Sequence, residues 1–95
     1  MNAQTIREAL KGTRVYYDMK AALSSICYWR YMEQQNEDVN YSALLKHLDK
    51  MDCMINPINF LHKDDVRLHY KTNPETNSSK VYDSYSGEII FEFEH

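Results

Sequence analysis

Between Thr13 and Gln35 the chain runs without a glycine or a proline and repeats its apolar residues at helical spacing. Tyr16, Met19, Leu23, Ile26, Cys27 and Arg30 recur every three or four positions and share one face of the helix this predicts. Thr13, just after Gly12, is placed to cap its start. Tyr17, Ala21, Ser24, Tyr28 and Tyr31 make a second stripe, and Ala22, Ser25, Trp29 and Met32 a third. A helix with large rings on several sides has to be covered on more than one of them. The cover is either the rest of the chain or a partner, and the small residues Ala21, Ala22, Ser24 and Ser25 would let either approach closely.

The flanking segments limit what can do the covering. Asn2 to Lys11 reads as a short helix, capped by Asn2 and ended by Gly12. After the polar break at 36–40, a second long helix is predicted from Tyr41 to about Ile55. Asn40 is its cap, with Val39 and Leu44 spaced as a hydrophobic staple. Tyr41, Leu44, Leu45, Leu48, Met51 and Ile55 form its apolar stripe, centred on Leu48. Asn56-Pro57 is expected to stop it, because the residue before a proline is pushed out of the helical region.

Beyond residue 57 the period changes from 3.6 to two. Val66, Leu68 and Tyr70 alternate with Arg67, His69 and Lys71, as in a half-buried strand. The stretch 72–79 reads as a polar, mobile loop, and Lys80–Asp83 as a second strand. Ser84–Gly87 reads as a turn, and 88–94 as a third strand with Ile89, Phe91 and Phe93 on one face and Ile90, Glu92 and Glu94 on the other. Helices followed by strands indicate an α+β domain. The expected architecture is an N-terminal helical hairpin, plus the short first helix, packed on a three-stranded antiparallel β-meander. It is one domain over 1–95, helical through 57 and β from 58.

Composition narrows function by exclusion. A formal net charge of −3 argues against a general nucleic-acid binder. No apolar run approaches the ~20 residues of a membrane span, so no membrane partner is expected. The N-terminal residues lack the basic start and apolar core of a secretory signal, which makes the cytoplasm the expected location. Cys27 and Cys53 both fall in predicted helices and read as reduced, buried thiols.

With two glycines, Gly12 and Gly87, the chain cannot build a glycine-rich phosphate loop. No serine or cysteine stands in a nucleophile signature. His47, Cys53, His62 and His69 follow no compact zinc spacing. No catalytic residue, metal or cofactor is therefore expected.

The run from Val66 to Ile90, VRLHYKTNPETNSSKVYDSYSGEII, resembles the C-terminal hairpin of the flagellar FlaG family. Leu68, Val81, Asp83, Ser86, Gly87, Glu88, Ile89 and Ile90 carry the likeness, over about a third of the chain. The basic residue and Ile-Pro that close the family's motif are replaced here by Phe91, Phe93 and Glu94. The resemblance implies an accessory protein of flagellar filament assembly without enzymatic activity.

The one compositional oddity is eight tyrosines. Tyrosine suits surfaces that are half dry and half wet, and protein interfaces are enriched in it. The expected function is a small non-catalytic interaction module of bacterial or phage type, an adaptor or inhibitor. It would bind a protein partner or a second copy of itself through Tyr17, Tyr28, Trp29 and Tyr31. The alternative is a single-stranded nucleic-acid platform on the outer sheet face, made of Arg67, His69, Lys71, Lys80 and Tyr82.

Overall fold

The computed structural model describes residues 2–95. Its elements are α1 (Ala3–Leu10), α2 (Arg14–Gln34), α3 (Tyr41–Leu61), β1 (Leu68–Asn73), β2 (Ser78–Asp83) and β3 (Ile89–Glu94). The strands form one antiparallel sheet in the order β1-β2-β3. The α2–α3 hairpin packs on the sheet, so the fold is α+β with helices first and strands last. Met19, Leu23 and Ile26 of α2 meet Leu44, Met51 and Ile55 of α3 and the inward residues Leu68, Val81, Phe91 and Phe93 of the sheet.

The caps are local and specific. Asn2 Oδ1 accepts the Thr5 N–H at 3.0 Å, and Asn40 Oδ1 accepts the Ala43 N–H at 3.0 Å. Thr13 stands at the N-cap of α2 but turns its hydroxyl back to the Leu10 carbonyl at 2.6 Å, tying α2 to the end of α1.

Five local readings need correction, four of them outside the third strand. First, α3 does not stop at Ile55 but continues through Pro57 to Leu61, so the helical part ends at 61 rather than 57. Proline there forfeits one N–H bond on an exposed side of the helix. Asn59 then fastens the last turn to the sheet, its Nδ2 donating to the Leu68 carbonyl at 3.1 Å and its Oδ1 accepting the Leu68 N–H at 2.6 Å. Second, the buried centre of α3 is Met51; Leu48 is half-buried, and Tyr41 and Leu45 are exposed. Third, the strands extend into the expected polar loop and leave only the turn at 74–77. Asn73 Oδ1 accepts the Glu75 N–H there at 3.1 Å, and Asn77 takes φ +51°. Fourth, Cys27 is buried but Cys53 is exposed, and both are free thiols. Burial pushes the Cys27 thiol up, against a lowering contact with the Ser78 backbone.

The third strand departs from simple alternation. Val81 pairs with Phe91, yet Tyr82 pairs with Ile89, so Ile90 is an extra residue in a β-bulge. The bulge turns Ile90 into the core beside Phe91, where alternation would have put it outside with Glu92 and Glu94. Arg7 of α1 completes the bulge: its Nε donates to the Ile90 carbonyl at 2.9 Å and its Nη2 to the Ile89 carbonyl. Ala3 and Ile6 are buried on the same side, where α1 packs against β3.

Gly87 takes φ +77° in the β2–β3 turn, with its N–H on the Asp83 carbonyl at 2.7 Å. A Cβ added there would meet no atom within 4 Å, so any penalty for a side chain is a backbone penalty alone. Gly87→Val is expected to lose ~1–2 kcal/mol and Gly87→Asn clearly less. Equal losses in urea unfolding would contradict the left-handed assignment.

Candidate interaction surface

The core face of α2 runs through Met19, Leu23 and Ile26, and helical geometry puts Tyr17, Ala21, Ser24, Tyr28 and Tyr31 on the opposite side. Tyr17, Tyr28 and Tyr31 are 60%, 53% and 46% exposed. The first helix, the one element left to cover them, instead packs against β3. Trp29 is the member of the expected set that the fold draws away. It lies a helical step nearer the core, half-buried and packed against it, with its ring edge-on to Tyr28 at 4.9 Å. Tyr17 makes a similar edge contact at 5.1 Å with Tyr16, whose ring in turn packs on Phe91 at 4.9 Å. Tyr17 and Tyr28 thus each rest on a neighbour tied to the core.

The stripe is not flat. Ser24, Tyr28 and Tyr31 form one wall of a pocket of about 410 Å³ whose other wall is Pro74, Asn77 and His95. The hairpin turn and the last residue come together through the Asn77 carbonyl, which accepts the His95 N–H at 3.0 Å, and Asn77 Nδ2, which donates to the His95 carbonyl at 2.9 Å. The His95 ring stacks on Phe93 at 6.3 Å and shares a 2.8 Å hydrogen bond with Ser79 Oγ through Nε2. Its buried Nδ1 has no partner among the described residues. Burial, with Lys20 adding to it, lowers the pKa of this imidazole. The sequence reading missed Pro74, Asn77 and His95, because nothing in the spacing links a polar turn to a helix so far upstream.

The outer sheet face gathers most of the second candidate set. His69 stands opposite Tyr82, with ring centroids 6.1 Å apart, and Lys71 stands opposite Lys80. The two amines lie 5.8 and 5.4 Å from the Tyr82 centroid, so this ring already holds two cations. Glu92 is the cross-strand neighbour of Lys80. Arg67 precedes β1 and is held through its backbone N–H, which donates to Asp83 Oδ1 at 2.9 Å.

No protein-family model, curated protein or solved structure matches this chain. Function therefore has to be argued from the surface itself. Among the described residues no helix is long and apolar enough to cross a membrane. A further apolar group, Phe60 and Leu61, stands 77% and 73% exposed at the end of α3. Its signal was in the sequence: once the helix is carried past Pro57, Phe60 falls on the polar side of the stripe.

Proposed function

We propose that this chain is a small non-catalytic protein-interaction module of the adaptor or inhibitor kind, and that its contact surface is the tyrosine stripe of α2. The supporting observation is that Tyr17, Tyr28 and Tyr31 lie on the side of α2 away from the core, and the one spare element, α1, is spent on β3. Tyrosines anchored on a rigid helix lose little side-chain freedom when they bind, and such rings recur as dominant contact residues. The basic sheet face supports the nucleic-acid reading less well, because Lys71 and Lys80 already sit against the Tyr82 ring that a base would stack on.

The test is Tyr28→Ala combined with Tyr31→Ala. The double variant is expected to keep its circular dichroism spectrum and to weaken association with a partner, or with a second copy, by at least ~2 kcal/mol. Sedimentation and a quantitative pull-down read the association. Unfolding would assign the rings to the core, and unchanged association in a folded variant would move the interface elsewhere.

A further inference from the structure

The sheet has two outer strands, and one side chain closes part of each. Arg7 takes the Ile89 and Ile90 carbonyls on β3, and Asn59 takes both backbone groups of Leu68 on β1. Past Leu68 the β1 edge stays open. The register with β2 points the N–H and C=O of Tyr70 and Thr72 the same way as those of Leu68, away from β2. Among the described residues nothing bonds to these groups. Beside the lower part of this edge lies a cleft of about 430 Å³, with Leu48, Asp52 and Ile55 of α3 on one side and Leu68, His69 and Tyr70 on the other.

Charge on this edge is one-sided. Lys71 faces Lys80 directly across the ladder, and like charges so placed weaken a sheet. Glu92 lies on the far side of Lys80, and Lys71 forms no ion pair among the described residues. The outer face along β1 is therefore a row of His69 and Lys71, with an open strand edge below it and no carboxylate opposite.

We infer that the β1 edge accepts an extended acidic segment of a partner protein as a fourth strand. Backbone bonds to Tyr70 and Thr72 hold the segment, as in other cases of strand addition. Its outward side chains are carboxylates set beside Lys71 and His69. Its inward side chains are apolar, because they meet Leu48 and Ile55 in a cleft where the opposite charges of Arg30 and Asp52 already stand together. The motif is thus acidic and apolar residues in alternation. Pairing with β1 of a second copy is disfavoured, since an antiparallel register that uses both Tyr70 and Thr72 sets Lys71 against its own equivalent. This surface is separate from the tyrosine stripe and does not depend on it.

The probe is a blocked octapeptide alternating glutamate with valine, added to the full chain. Amide exchange followed by NMR is expected to slow at Tyr70 and Thr72, and the lysine-for-glutamate peptide is expected to leave both unchanged. Thr72→Pro removes one edge N–H at a position where an outer strand tolerates proline. It is expected to weaken binding at least about tenfold, with unchanged circular dichroism. Should that variant fail to fold, Lys71→Glu at the surface is expected to weaken binding of the acidic peptide by at least about tenfold and to allow binding of the basic one. The inference is overturned if the acidic peptide does not bind, or binds without protecting those two amides. It is overturned equally if the basic peptide binds as well. Protection that grows with protein concentration and no peptide, with larger species in sedimentation, would make a second copy the occupant. Oligo-dT shifting His69 and Tyr82 while the peptide does nothing would make it nucleic acid.

Discussion

Leu23→Ala is expected to lower the unfolding free energy by ~2–5 kcal/mol. Leu23 is fully buried on the face of α2 that meets both α3 and the sheet. Cutting it back removes apolar area from the one place where three layers of side chains meet, and the close-packed surroundings collapse only partly into the gap. A domain of this size stands on ~5–15 kcal/mol in total, so the variant should unfold at a clearly lower urea concentration with the same slope. The contrast with Tyr28→Ala is the informative part, because Tyr28 lies only a helical turn and a half further on and its loss should leave the midpoint nearly unmoved. A deficit below ~1 kcal/mol for Leu23→Ala would mean that the core face of α2 is wrongly identified.

Asp83→Ala is expected to lose ~2–4 kcal/mol, unusual for an acidic residue. Asp83 is only 2% exposed. Its Oδ1 accepts the Arg67 N–H at 2.9 Å and the Tyr85 N–H at 3.1 Å, and its Oδ2 accepts the Ser86 hydroxyl at 2.8 Å. Removing the carboxylate leaves those donors without their acceptor at the junction of β1 with the β2–β3 turn. Burial alone would raise the Asp83 pKa, but the hydrogen bonds from Arg67, Ser86 and Tyr85 outweigh it and hold it below the ordinary carboxylate range. The folded state therefore binds this proton less readily than the unfolded chain does. Its contribution is complete above the unfolded pKa and is lost as the pH falls through the folded one. Wild type should thus lose stability from about pH 4 downward more steeply than Asp83→Asn does. Parallel curves for the two proteins would remove the carboxylate from this role.

The helix and strand periods were legible from single residues, because burial acts on each position separately. Met19, Leu23 and Ile26 or Leu68 and Val81 declare their faces without help from distant chain. What stayed hidden depends on contacts between elements. Pro57 reads as a stop until Asn59 is seen bonded to Leu68. Ile90 reads as outward until the bulge and its Arg7 cap are in view. For the candidate surface, the tyrosine stripe is visible in the spacing, whereas Trp29 stands on the neighbouring stripe and joins the set only by lying beside Tyr28. The β2–β3 turn gives a related lesson. Asp83, Ser86 and Gly87 each have a local backbone task in the turn, so unrelated hairpins have the same reason to use them.

Arg7 joins the first helix to the last strand across 83 residues of chain. A contact of that separation closes a loop of most of the chain, and its entropy is lost before the contact returns anything. The α2–α3 hairpin can condense early from neighbouring residues, whereas α1 makes its main contacts with β3 and docks fully once that strand is in register. Seen from the ribosome, α1 emerges ahead of the strand it needs, and is among the last elements of this domain to find its place. In the folded protein, α1 and the outer edge of β3 are held to one another through Arg7, so whatever loosens one is expected to loosen the other.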